Sequence, residues 1–173
     1  MTAISNKPQT LNSRAEALAA RIEQGADELA AFAEGLTAEE WRRPLSLIGS
    51  DTRSIGVIVH HVASMYPVEV DLARAIAGGH AVIDVTWAVV ADINAKHAQD
   101  NVTVTKTEAL ELLRRNSREA SNAVRQFTDQ QLDTAAPLSL SDNAPVTAQF
   151  VIEDHPLRHS WHHLARIRKS LGR

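Results

Sequence analysis

Four histidines fall within nine residues, in His155-Pro-Leu-Arg-His159-Ser-Trp-His162-His163, and two more are adjacent at His60 and His61, out of eight in the chain. Imidazole is both the usual acid–base group near neutral pH and the commonest metal-ligating side chain. Two histidines four residues apart on a helix bring their Cβ atoms to about 6 Å, close enough to point at one ion. A third from a facing helix completes a three-histidine site with an open position, the arrangement that catalytic zinc uses. The chain contains no cysteine. Disulfides, thiolate metal sites and a cysteine nucleophile are therefore excluded, and the ligand types that remain suit Zn, Ni, Fe or Cu rather than Ca or Mg.

Helical geometry sorts the histidines by face. With His159 at zero, His163 falls at about 40°, Ile152 at about 20° and Ile167 at about 80°, whereas His155 and His162 fall at about −40° and −60°, on the edge of that face. In the earlier pair, His61 continues an apolar stripe and His60 is turned about 100° away. One buried-face histidine thus meets a buried-face pair. Competing readings are structural: His155 and His162 are expected to be solvated near a helix end, His60 to be exposed, and His80 and His97 to be loop or helix-end residues. Spacing alone leaves a metal site and a hydrogen-bonded core cluster both open. The glutamate of an H-E-x-x-H metalloprotease motif is absent. Glu69, Asp154, His162 and Tyr66 are candidates for proton transfer or for support behind the ligands. Glu69, about 12 Å along the helix from His61, cannot reach the same ion from that helix.

These residues must be held by helices. The series Leu11, Leu18, Ile22, Gly25, Leu29, Phe32, Leu36 predicts a first helix ending near Gly35. Thr37-Ala-Glu-Glu40 reads as a capping box opening a short turn around Trp41, followed by a loop marked by Pro44 and Gly49. A second helix is predicted from Ser54 to Ala77 with the stripe Ile58, His61, Met65, Val68, Leu72, Ile76; Pro67 inside it predicts a kink or two helices in series. A third helix is expected over Thr86–His97. Thr105-Lys-Thr-Glu108 opens a fourth with Leu110, Leu113, Ser117, Ala120, Val124 and Phe127 inward. Residues 133–146, with Pro137 and Pro145, read as a loop, and a last helix spans Thr147–Leu171. The 3.6-residue period dominates, so the expected fold is all-α, a four-helix bundle with short additional helices in an up-and-down arrangement, the connection carrying the third helix being a candidate to cross the bundle.

The chain's 173 residues, 44% hydrophobic and 23% charged, suit one domain of ordinary size: a flexible lead-in over 1–10 and a single helical domain over 11–173. With 18 basic against 21 acidic side chains there is no global basic field for nucleic acid or an anionic membrane. No apolar run reaches transmembrane length and MTAISNKPQT lacks a signal-peptide core, so a cytoplasmic protein with no membrane partner is expected.

The segments Ser54-Ile-Gly-Val-Ile-Val-His-His-Val-Ala63 and His159-Ser-Trp-His-His163-Leu-Ala-Arg-Ile167 resemble the paired signature of the DinB/YfiT-like superfamily. In that family a histidine near the middle of the second helix and an H-x-x-x-H on the last helix bind a divalent metal inside a four-helix bundle. The resemblance assigns His61, His159 and His163 as ligands, for zinc or nickel before iron. It implies a small-molecule substrate and a range of activities: S-transfer with a low-molecular-weight thiol, a mycothiol-dependent isomerisation, metal-dependent hydrolysis, or no catalysis in a binding or stress-related bundle. A thiol-dependent S-transferase is the first expectation, with Arg158 and Arg166 near the open position, and a metal-dependent hydrolase is the alternative. Leu157, Trp161, Leu164 and Leu171 lie on the far side of the last helix. Either another helix of the bundle covers them or they form a homodimer interface.

Overall fold

The computed structural model describes residues 13–45 and 52–173; the lead-in, Leu11 and Gly49 lie outside them. Four long helical segments form the bundle: α1 (Ser13–Glu34), α3 (Ile55–Ala77), α5 (Lys106–Val124) and a final segment made of α7 (Ala148–Ile152), a π-helical turn (Glu153–Leu157) and α8 (Arg158–Ser170). Shorter helices, α2 (Ala38–Arg42), α4 (Trp87–Asp100) and α6 (Asp129–Asp133), lie in the connections. Thr37 and Thr105 cap α2 and α5 in capping boxes with Glu40 and Glu108, as the sequence predicts, and Thr128 does the same for α6 with Gln131. Among the described residues no helix is long and apolar enough to cross a membrane.

The order around the bundle differs from a simple up-and-down arrangement. α1 packs against α5 and α8, and α3 packs against α5 and against α7 and α8, so α1 and α3 sit diagonally. The connections that cross the bundle are therefore those from α1 to α3 and from α5 to α7. The one carrying α4 joins neighbours. Residues 133–146 also depart from the predicted loop: β1 (Ala135–Leu138) pairs antiparallel with β2 (Ala144–Thr147), Pro137 opposite Pro145. The hairpin turns through Asp142 and Asn143, whose φ values of 55° and 61° are left-handed conformations that these two residue types tolerate. Val82 extends the pairing, donating to Pro137 O and accepting from Ser139 N.

The inward stripe of α5 is as predicted, with Leu110, Leu113, Ser117, Ala120 and Val124 all buried, as is Phe127 just beyond its end. That of α3 is not. Ile58, His61 and Ile76 are buried, but Val68 is 55% exposed, and the buried face runs through Val62, Tyr66, Glu69 and Ala73. At 100° per residue this face is rotated by roughly 80° from the predicted stripe. The surface centred on Leu157, Trp161 and Leu164 packs into the bundle core: Leu157 and Leu164 are buried within the chain, and Trp161 lies so close to Gly25 of α1 that a Cβ there would stand 2.8 Å from its Nε1.

α3 is one continuous α-helix through Pro67. A proline at this position removes the N–H that would bond the carbonyl four residues back, Ala63 O. Asn116 of α5 supplies a replacement, donating from Nδ2 to Ala63 O at 2.9 Å in a buried setting. Asn116→Ala should therefore leave a buried carbonyl unsatisfied and destabilise the protein by about 1–3 kcal/mol in urea melts. Adding Pro67→Ala should recover much of that loss by restoring the backbone donor; a purely additive double mutant would contradict the assignment.

Candidate metal centre

His61 projects from α3, and His159 and His163 from successive turns of α8. Each offers a nitrogen, and these three atoms lie within 4.8 Å of one another. Ring centroids are 5.0 Å apart for His61 and His159, 5.8 Å for His61 and His163, and 5.0 Å for His159 and His163. The three residues that the face reckoning selects are thus brought together. His61 and His163 are each 5% exposed, and His159, half-buried, is the member that solvent approaches.

Two buried contacts lock α3 to α8 around this point. The Tyr66 and Ser160 hydroxyls hydrogen-bond at 2.7 Å, and burial, which outweighs that bond, drives the Tyr66 pKa upward. Tyr66 is accordingly a neutral strut between the two helices. One turn further along α3, Glu69 Oε1 lies 2.7 Å from His159 Nδ1.

Burial, followed by the positive charge that neighbouring His159 and His61 would carry, pushes the His163 pKa far down, so its ring is neutral with a lone pair available. Its Nδ1 is buried with no hydrogen-bond partner among the described residues. Three clustered imidazoles, with an orphaned buried nitrogen on His163, fit a divalent transition metal better than they fit a hydrogen-bonded core cluster, which would pair its ring nitrogens.

The cluster is larger than the sequence reading expects. His60 is half-buried, not exposed: its Nδ1 is 2.9 Å from Nε2 of His97, and the rings stack at 5.1 Å. His97 in turn meets the edge of His61 at 5.4 Å, and His162, exposed as expected, meets His163 at 5.1 Å. His97 is on α4, whose half-buried side is Val90, Asn94 and His97, so a helix without a fully buried residue delivers a histidine to the site. Sequence reasoning places His97 at a helix end because nothing local shows that α4 folds back over α3. Arg53, just before α3, was also missed. Its guanidinium lowers the pKa of both His97 and His163, after burial and neighbouring histidines, which places a cation near both rings. Arg158 instead pairs with Asp154 at 2.5 Å, and Arg158 and Arg166 act on His162.

Residues 11–167 match the model of the DinB superfamily. The chain belongs to the DinB superfamily. A solved structure with the same fold is YfiT from Bacillus subtilis, described as a probable metal-dependent hydrolase with an unusual four-helix bundle topology. It aligns with a TM-score of 0.71 and 16% identity over 99% of this chain and 95% of YfiT. Comparison with curated proteins gives no match.

Burial lowers the His97 pKa to about 4. Between that value and the ordinary 6.5, the unfolded chain binds a proton that the folded one refuses, so stability is complete above about pH 6.5 and falls as pH drops towards 4. Metal-free protein should lose urea resistance over this window, and His97→Gln should flatten the slope; an unchanged slope would remove His97 from the titration.

Proposed function

We propose that the chain is a metal-dependent enzyme acting on a small molecule by hydrolysis, with His61, His159 and His163 holding one divalent ion, zinc or nickel before iron. The observation that carries this reading is the convergence of three ring nitrogens within 4.8 Å from two helices at a nearly dry position. An ion bound there would act as a Lewis acid, polarising a substrate oxygen or lowering the pKa of water towards about 7. The chain's own residues do the rest. Three protein ligands leave room for water or substrate, and burial of His61 and His163 keeps bulk water from screening the charge that develops. Arg53 adds a positive field that favours an anionic substrate, and the neutral His60/His97 pair stacks beside His61. Hydrolysis is favoured because YfiT, with which the chain shares its fold, is described as a probable metal-dependent hydrolase.

The S-transferase reading uses the same histidines and differs in what a thiol does. A thiol competes with water in a hydrolase and inhibits, whereas a transferase consumes it. Protein purified without a histidine tag should bind one zinc or nickel ion. Zinc at a hundred times its Kd should stabilise the fold by about 2.7 kcal/mol. His61→Ala, His159→Ala and His163→Ala should each abolish that gain, while His80→Ala, an exposed residue, should keep it. Ester turnover by the loaded protein should fall as glutathione or bacillithiol is added; conjugation of the thiol to an electrophile, lost in His159→Ala, would decide for the transferase.

A further inference from the structure

Glu69 is a carboxylate only 5% exposed, on a face otherwise made of Val62, Tyr66, Val70 and Ala73. Such a group is expensive to bury unless a partner compensates it. Its Oε1 stands 2.7 Å from His159 Nδ1, and neither His159 Nδ1 nor Glu69 Oε2 has another hydrogen-bond partner among the described residues. Among the charged groups named above, Arg53 acts on His163 and His97, and Arg158 and Arg166 act on His162. The geometry points to Glu69 as the positioning residue of the site, fixing His159 as the tautomer protonated on Nδ1 and so leaving Nε2 for the ion. The inference rests on the three-histidine metal centre and adds to it a fourth residue, about two turns of α3 removed in sequence from His61 but brought behind the opposite ligand by the α3–α8 packing.

The reasoning is that of a carboxylate backing a metal-bound imidazole. An imidazole whose N–H is held by a carboxylate cannot spin, presents the other nitrogen in one direction and is a more basic ligand; removing such a partner commonly weakens metal binding 10–100-fold. The same pairing explains why a carboxylate is tolerated on the core face of α3. Its charge is matched by the polarised imidazole N–H and, when an ion is present, by the ion beyond it. Glu69 therefore has no part as a general base at the open side, since it sits behind a ligand.

The test uses the full chain and two variants, Glu69→Gln, which keeps an acceptor oxygen without the charge, and Glu69→Ala, which removes both. Zinc affinity is measured by chelator competition, and the His159 tautomer by nitrogen-15 NMR of the metal-free protein. The wild type should show His159 protonated on Nδ1. Glu69→Ala should bind zinc 10–100-fold more weakly, with Glu69→Gln in between. Glu69→Gln keeps an acceptor for His159 and should melt close to the wild type when metal-free, so a loss of zinc affinity in that folded variant separates a positioning role from a structural one. Wild-type zinc binding with affinity within twofold in a folded Glu69→Ala protein overturns this role alone, as does a His159 protonated on Nε2 in the wild type. A wild type that takes up no zinc overturns the metal centre and this role with it.

Discussion

Burying imidazoles at the seam between α3 and α8 is the constraint on which the rest of the structure depends. His61 and His163 are each 5% exposed. In so dry a setting the protonated form is heavily penalised, and a ring nitrogen without a partner is itself unfavourable. The seam must therefore be held rigidly enough that the rings satisfy one another or a shared ligand. Tyr66 with Ser160, and Glu69 with His159, supply that rigidity on successive turns of α3, close to the rings they support. Their polar atoms are buried deliberately in the energetic sense: each pair is satisfied by a group on the other helix, so separating the helices would strand both members.

Both helices that carry the histidines also carry an internal proline, and each accommodates it without stopping. In α3 the carbonyl that Pro67 leaves without a donor is taken by Asn116, which ties the site-bearing helix to α5. In the last segment Pro156 lies inside the π-helical turn, where the regular α ladder is already widened. Because this turn ends at Leu157, before His159, the four-residue spacing from His159 to His163 is read on a regular α-helix and both rings share a face. Angles reckoned back from His159 to His155 or Ile152 cross the π turn and do not keep their phase.

This explains which parts of the site were legible in the sequence. The His159/His163 pair depends on local periodicity, and so do the α5 stripe and the capping boxes at Thr37 and Thr105; all of these are as predicted. The face of α3 is misjudged because its core side includes Glu69 and small Ala73 while larger apolar Val68 points outward, so residue type misleads where packing decides. His60 and His97 are missed as partners because their contact joins α3 to α4 across 37 residues. The hairpin at Ala135–Thr147 is missed because two prolines argue against strands, and here they sit opposite each other in a two-stranded pair. The diagonal placement of α1 and α3 leaves no local trace, since both orders bury the same stripes.

The charges around the cluster bear on what the open side can receive. Three imidazoles contribute no charge, so an ion held by them keeps its own, unlike one in a carboxylate or thiolate cage. Glu69 offsets one unit from behind His159, and the guanidinium of Arg53, felt at both His163 and His97, returns one. With a divalent ion bound, the sum at the seam would be positive although the chain as a whole carries −3. Acidic groups of α1 are paired with guanidinium groups of neighbouring helices, Glu23 with Arg125 at 2.8 Å and Glu28 with Arg168 at 3.4 Å. The local field of the loaded site would then oppose the global one, and a small anion would gain at the seam what a long basic or acidic polymer could not gain from the whole surface.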